Sequence, residues 1–194
     1  CYGNSGEDTF NIKSGVQNTF VDGGGGTNAI NDHGTNTIKI NVPNANAYSE
    51  FFVAGETKII TVNGKEYTIT NTASNDNKNL VYSIKGDTIE FQGTYFKITG
   101  NSEQSHNVKL LSQRMTFTGG NLNDTIIVAN TARYAAVYGG SGDYYIENNA
   151  ADVYMWGQDG NDKIINNGAN SCLIFGGNGD DTVEITKGTG HYLD

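Results

Sequence analysis

The sequence predicts an all-β protein, built as a right-handed parallel β-solenoid (β-roll or β-helix) that carries an inserted β-rich hairpin subdomain. Three observations support this fold class. The 194 residues include 26 glycines and one proline, a composition that suits tight turns and disfavours helix interiors. Isoleucine, valine and aromatic residues alternate with polar ones in short segments, as in half-buried strands. A glycine-rich motif also recurs at a nearly constant interval, which is typical of solenoids.

The charge balance limits the classes of partner. Twelve Lys and Arg against 21 Asp and Glu give a net charge of −9, so a nucleic-acid backbone would be repelled. No apolar run reaches the length of a membrane-spanning helix, so no transmembrane segment is expected. Carboxylates concentrated in glycine turns are instead the groups that a hard cation requires.

The N-terminal segment, residues 1–38, contains two copies of the glycine motif, at 3–10 and 23–30. Asp8 holds the sixth motif position in the first copy, and Asn28 holds it in the second. The interval of 20 residues between them predicts N-terminal solenoid coils. Because the chain opens in the middle of a predicted coil, we expect it to be part of a longer parent protein.

The middle segment, residues 39–118, breaks the repeat. Residues 59–69 alternate around Asn63-Gly64, a strong signal for a β-hairpin. Further strands are predicted at 80–84, 88–91, 94–98 and 107–111. We interpret this segment as a β-rich insertion that joins two solenoid pieces.

The C-terminal segment, residues 119–194, carries the clearest repeat. The motif occurs at 119–126, 139–146, 157–164 and 176–183, and its starts are 20, 18 and 19 residues apart. A short apolar segment precedes each of the last three copies, so each coil should contain two strands. Alternation places Ile126, Ile146, Ile164 and Val183 inward, together with Ala135, Val137, Val153, Met155, Cys172 and Ile174.

Two surface features of these coils are also predicted. Tyr138, Trp156 and Phe175 should form an outward aromatic row, which serves either lateral packing or stacking on a carbohydrate. The edge opposite the glycine turns carries Asn130-Thr131, Asn148-Asn149 and Asn166-Asn167. Stacking of the coils would let these amides form a hydrogen-bonded ladder.

The glycine stretches resemble the RTX (repeats-in-toxin) nonapeptide Gly-Gly-x-Gly-x-Asp-x-U-x, in which U is a large aliphatic residue. Residues 176–184 match it at every fixed position. The resemblance covers about residues 3–38 and 119–185. It implies a calcium-binding β-roll of a secreted bacterial protein, with calcium held between the turns of neighbouring coils.

Calcium takes about six to eight oxygen ligands, and glycine turns can present backbone carbonyls to it. The resemblance implies that Asp162 and Asp181 supply the carboxylates, and that the first and third residues of their two turns supply carbonyls. The complete set of candidate metal ligands is Gly157, Asp159, Asp162, Gly176, Asn178 and Asp181, followed by Gly139, Ser141, Asp124 and Asp8.

Other turns depart from the motif. Tyr144 stands at the sixth position where the motif has Asp, and Leu122 replaces the fourth-position glycine. A metal-free solenoid, in which Asp and Asn only bond to nearby backbone, therefore stays open as an alternative.

The sequence predicts a non-enzymatic, calcium-stabilised structural module of a larger secreted or cell-surface bacterial protein, such as an adhesin, surface-layer protein or toxin. It would fold on export into high calcium, and the insertion would contact a host-surface protein or glycan. The alternative role is a secretion and folding appendage of an extracellular hydrolase or polysaccharide-modifying enzyme. No catalytic residue is predicted, because the sequence has no HExxH or GxSxG motif, and His33, His106 and His191 are assigned to a turn, a polar loop and the chain end.

Overall fold

The computed structural model describes residues 2–13, 19–22, 27–32, 37–41 and 47–194. Within these ranges the protein has no helix, and its strands form two ten-stranded sheets that stack as a β-solenoid of about eight turns. The predicted fold class is therefore confirmed. The part of the chain that is described contains no apolar helix of membrane-spanning length.

Strands alternate between the two sheets along most of the chain. In spatial order, the first sheet contains Thr9–Ile12 (β1), Thr27–Asp32 (β3), Ala47–Phe52 (β5), Lys78–Lys85 (β8), Thr88–Gln92 (β9), Asn107–Leu110 (β11), Thr125–Val128 (β13), Tyr145–Asn148 (β15), Lys163–Asn166 (β17) and Thr182–Ile185 (β19). The second sheet contains Thr19–Asp22 (β2), Thr37–Asn41 (β4), Thr57–Val62 (β6), Lys65–Asn71 (β7), Phe96–Gly100 (β10), Thr116–Thr118 (β12), Ala136–Gly140 (β14), Tyr154–Asp159 (β16), Leu173–Asn178 (β18) and Tyr192–Leu193 (β20).

The core lies between the two sheets and is built by columns of residues in register. Ile126, Ile146 and Ile164 are each paired with the next and are fully buried. Val183 continues this column but is only partly buried. The inward residues predicted on the facing strands are all buried, namely Ala135, Val137, Val153, Met155, Cys172 and Ile174. Strict two-residue alternation therefore gave the correct inward face for these coils.

The middle segment contains one coil that runs in the opposite direction. β7 and β8 pair antiparallel with both of their neighbours, whereas the other pairs in the two sheets are parallel. The predicted hairpin at Asn63-Gly64 leads into this coil, and both residues have the positive φ (49° and 72°) that such a turn requires. A second hairpin, between β8 and β9, restores the original direction.

Both sheets continue through the middle segment, since its strands occupy successive places in each. The other strands predicted there are present, at Lys78–Lys85, Thr88–Gln92, Phe96–Gly100 and Asn107–Leu110. Large aromatic residues fill the core at this level. Tyr48 stacks on Tyr82 at 5.8 Å between ring centroids, and Tyr67 meets Phe91 edge-on at 5.3 Å.

The asparagine ladder is confirmed for two of its three predicted rungs. Asn148 Nδ2 donates to Asn166 Oδ1 at 2.8 Å, and Asn167 Nδ2 donates to Asn149 Oδ1 at 3.2 Å. The predicted rung at Asn130 is wrong. Val128 lies opposite Asn148 in the sheet register, so Asn130 falls two residues beyond the ladder.

A second column on this edge was not predicted. One or two residues before β10, β12, β14, β16 and β18, a residue adopts a left-handed conformation: Tyr95, Arg114, Tyr134, Asp152 and Ser171, with φ of 65°, 58°, 59°, 61° and 52°. The Arg114 guanidinium lies 5.5 Å from the ring centroid of Tyr95 and 5.1 Å from that of Tyr134. Cation–π contacts therefore join this corner from coil to coil.

Candidate metal site

The glycine turns form one edge of the solenoid, which we call the glycine edge: residues 119–124, 139–144, 157–162 and 176–181. The first turn follows a strand of the second sheet, the other three begin within the last residues of one, and each turn ends just before a strand of the first sheet. In the last two turns Gln158 pairs with Gly177, and the N–H of Gly160 donates to the carbonyl of Asn178 at 2.9 Å. The predicted direct stacking of successive turns is therefore confirmed.

Glycine is required here because the backbones approach closely. A Cβ at Gly177 would collide with the carbonyl oxygen of Gln158, and a Cβ at Gly179 would collide with that of Gly160. Both glycines also have positive φ, 119° and 131°, which residues with a Cβ rarely adopt. The composition of the turns thus follows from the one-strand spacing between coils.

An inner ladder of side chains runs along the sixth motif position. Asp162 Oδ1 accepts the backbone N–H of Tyr144 at 2.8 Å, one coil earlier, and Asp181 Oδ1 accepts the N–H of Asp162 at 2.8 Å. Asp124 Oδ1 accepts the N–H of His106 at 2.7 Å in the same manner. Each of these carboxylates therefore ties its own turn to the preceding one.

At the N-terminal coils the inner ladder uses an amide. Asn28 Oδ1 accepts the N–H of Asp8 at 2.9 Å, so these two residues lie one coil apart, as predicted. The remainder of the predicted motif copy around Asn28, residues 23–26, lies outside the described residues.

An outer ladder runs along the fifth motif position in the opposite sense. Asn123 Oδ1 accepts the N–H of Asp143 at 2.9 Å, Asp143 Oδ1 accepts that of Asn161 at 2.8 Å, and Asn161 Oδ1 accepts that of Asp180 at 2.9 Å. Here the side chain lies on the earlier coil. The two ladders together hold each turn to both of its neighbours through charged or amide acceptors.

The second oxygen of the inner carboxylates has no protein partner. Oδ2 of Asp8, Asp124 and Asp162 is buried and makes no hydrogen bond. In each complete turn this oxygen faces the first glycine: a Cβ at Gly157 would collide with Asp162 Oδ2, and one at Gly176 would lie 2.5 Å from Asp181 Oδ2. A buried carboxylate oxygen without a partner is costly, so the arrangement leaves hard oxygen donors available to a cation.

Burial raises the pKa of Asp162 to about 6. The N–H of Tyr144 opposes this shift, while the negative charges of Asp181 and Asp143 add to it. The side chain is 1% exposed. The ionised form of Asp162 is therefore disfavoured in the protein alone, and a bound cation would favour it.

The predicted ligands divide into two groups. Asp162 and Asp181 lie on the inner ladder, in adjacent coils, as the prediction requires. The side chains of Asp159 and Asn178 lie on the outer surface, where Asn178 Nδ2 donates to Asp159 Oδ1 at 2.8 Å. Asp159 and Asn178 could therefore contribute only their backbone carbonyls to a cation bound by the inner carboxylates. The carbonyl of Asn178 already accepts the N–H of Gly160.

The turn that contains Gly139 and Ser141 differs because of Tyr144. The Tyr144 hydroxyl donates to the Gly120 carbonyl at 2.7 Å, and a Cβ at Gly119 would lie 2.7 Å from both this hydroxyl and Asp124 Oδ2. The phenol therefore fills the space beside Asp124. Burial, followed by the charge of Asp124, raises the pKa of Tyr144, so the phenol stays a neutral donor.

Sequence reasoning missed the role of His106, which was assigned to a polar loop. The side chain is buried, and it continues the inner ladder: its Nδ1 lies 3.3 Å from Asp124 Oδ1, and its ring lies 5.0 Å from that of Tyr67. One signal was available, since His106 precedes the inward Val108 by two residues, as Asp124 precedes Ile126. His191 contacts Asn166 near the chain end, and His33 lies outside the described residues.

Among the residues that the structure describes, no three His, Cys, Asp or Glu side chains are close enough together to hold a metal ion. A cation at the glycine edge would thus depend on two carboxylates and on backbone carbonyls. The sequence matches no protein-family model, and no curated protein or solved structure matches it significantly.

Proposed function

We propose that this protein is a non-enzymatic, calcium-stabilised structural module of a secreted or cell-surface bacterial protein, such as an adhesin, surface-layer protein or toxin. The observation that supports the proposal is the set of carboxylates Asp8, Asp124 and Asp162, whose Oδ2 is buried without a hydrogen-bond partner, together with the half-buried Asp181 one coil from Asp162. These donors are oxygens only, which is the set that calcium prefers over softer metals.

The protein's own residues prepare the edge for such an ion. The inner ladder fixes Asp162 and Asp181 one coil apart, because each holds a backbone N–H of the preceding turn through Oδ1. Their remaining oxygens face bare glycine backbone. A bound calcium ion would supply positive charge to two carboxylates that otherwise repel each other within a chain of net charge −9.

The physical consequence is linkage between calcium and folding. A ligand that binds only the folded state stabilises it by about 2.7 kcal/mol at a hundredfold excess over its Kd. For a chain of this length that corresponds to a rise in Tm of about 5–11 °C. The folded state of the module would therefore be less stable at low calcium and more stable at the millimolar concentrations found outside cells.

The test is thermal unfolding, followed by circular dichroism, in chelator and in millimolar calcium. We expect Tm to rise with calcium and to rise far less with magnesium, which gives up its water ligands reluctantly. Asp181→Asn should reduce the rise, and Asp180→Asn, an equal change of charge on the exposed neighbouring residue, should preserve it. A Tm that is unchanged by calcium in the unaltered protein would refute the proposal.

A metal-free structural solenoid is the second candidate, and one contact favours it. Asn28 performs the same backbone bonding as the aspartates of the inner ladder, so the ladder itself needs no charge. This candidate predicts equal melting temperatures in chelator and in calcium.

A further inference from the structure

A concave surface that includes residues of the glycine edge has a composition that the stacking of coils does not require. It encloses about 470 Å³ on the outer side of the second sheet. Two aromatic and five polar residues characterise it, and we call it the Trp156 groove: Ser141, Trp156, Gln158, Asp159, Phe175, Asn178 and Asp194. These residues come from four successive coils.

The aromatic part is an exposed, continuous patch. Trp156 is 39% exposed and lies 6.1 Å from the Phe175 ring, which also contacts Tyr154 at 5.6 Å and Tyr192 at 5.7 Å. Tyr138 adjoins Tyr154 at 5.5 Å. The predicted outward aromatic row is therefore present, and it also includes Tyr154 and Tyr192.

The polar part is held in a fixed arrangement. Asn178 Nδ2 donates to Asp159 Oδ1 at 2.8 Å across two coils, which orients both side chains at the rim of the groove. The pair presents acceptors and donors beside the ring of Trp156. Rings flanked by a few oriented hydrogen-bonding groups are typical of sites for small polar ligands.

Gln158 provides a second, independent observation. Its φ is 80°, a left-handed conformation that is unfavourable for residues with a Cβ. The equivalent residues in the neighbouring coils are Gly140 and Gly177. A glutamine therefore occupies a position at which the fold uses glycine, and this residue lines the groove together with Trp156. Strain of this kind is concentrated at functional sites.

We propose that the Trp156 groove binds a neutral polysaccharide. A pyranose ring has an apolar face that can stack on an indole and hydroxyls at its edge that can pair with carboxylate and amide groups, so one sugar unit uses both parts of the groove. The carboxylates of Asp159 and Asp194 line the same surface. Together with the net charge of −9, they disfavour polyanions such as polyuronates.

The test uses Trp156 as its own reporter, because it is the only tryptophan of the chain. Three neutral hexasaccharides, of β-1,4-linked glucose, α-1,4-linked glucose and β-1,4-linked N-acetylglucosamine, are titrated into the full chain, with hexagalacturonate as the anionic comparison. We expect a saturable change in tryptophan emission with at least one neutral sugar and none with the polyuronate.

Two variants and a control separate binding from folding. Gln158→Gly should melt at the same or a higher temperature, because glycine suits a φ of 80°, yet should weaken binding about fivefold through the loss of one hydrogen bond. Trp156→Ala, measured by calorimetry, should abolish binding. Tyr134→Ala removes a similarly exposed aromatic residue that lies two residues before β14, at the opposite edge of the solenoid, and this variant should bind normally.

The proposal would be overturned by any of three results. These are no saturable emission change with the three neutral sugars, unchanged affinity in both groove variants, and tighter binding of hexagalacturonate than of every neutral sugar.

Discussion

Replacing the buried carboxylate of Asp162 by an amide should raise stability in chelator and should give a smaller gain, or none, in calcium. Asp162→Asn keeps the oxygen that accepts the N–H of Tyr144 and removes a charge whose second oxygen has no partner. In chelator at pH 7 the variant should be more stable than the unaltered protein. In calcium it should lack part of the stabilisation that the ion provides.

The magnitude follows from the pKa of Asp162. A rise from 3.8 to about 6 means that the folded protein favours the protonated form. The stability gained from protonation is fully present below about pH 4 and is lost as the pH rises through 6. At pH 7 the loss is about 3 kcal/mol, from about 1.4 kcal/mol per pKa unit. Removing the charge should raise Tm by up to about 6–12 °C in chelator.

The assay is thermal unfolding of both proteins at pH 4 and pH 7, in chelator and in calcium. Asp180→Asn, on an exposed residue, is the matched control and should stay within about 0.5 kcal/mol of the unaltered protein. A variant that is less stable than the unaltered protein in chelator at pH 7 would refute the reasoning about the buried charge. Equal gains in chelator and calcium would refute the role of Asp162 in binding the ion.

Three further predictions concern the fold, and each is measured by urea unfolding. Burial raises the pKa of Glu90, but hydrogen bonds and charge from Lys85 and Lys109 outweigh burial and leave the pKa below its usual value. Glu90→Gln should therefore lower the free energy of unfolding by about 1–2 kcal/mol at pH 7 and have no effect once acid has protonated the carboxylate. An equal loss of stability at pH 3 would contradict this. Gly179→Ala should cost more than about 2 kcal/mol because its Cβ meets backbone. Gly6→Ala, at a similar positive φ (127° against 131°) but in open space, should cost only about 1–2 kcal/mol. Equal costs would show that the close approach is unimportant. Asn148→Ala should cost about 1–3 kcal/mol because it strips partners from the buried amide ladder, and a neutral result would contradict the ladder's role.

The stacking of the C-terminal coils could be predicted because every coil repeats the same local pattern. A two-residue alternation next to a glycine turn fixes which residues face inward, so Ile126 and Ile164 were placed correctly. The turn composition likewise placed Asp162 beside Asp181. What the pattern does not contain is the direction of each side-chain bond, and the opposite senses of the inner and outer ladders became visible only in the structure.

Other features were hidden for physical reasons. An alternating strand reads the same in both directions, so the pattern did not show that β7 and β8 form a reversed coil of the solenoid; only the Asn63-Gly64 turn signalled the first reversal. His106 was missed because its turn is one residue longer than the turn from Gly119 to Asp124, which shifts it out of the motif. The left-handed corner at Arg114 and Tyr134 carries no glycine, and its conformation is imposed by the neighbouring coils.

The central claim is that stacked glycine turns share a calcium ion between the inner carboxylates. The most direct measurement is a crystal structure of this chain from crystals grown in millimolar calcium. An anomalous difference map is calculated from data collected at a long X-ray wavelength, at which calcium scatters anomalously. We predict a peak between the turns 157–162 and 176–181, adjacent to Asp162 and Asp181. An ordered pair of turns with no peak between them would contradict the account.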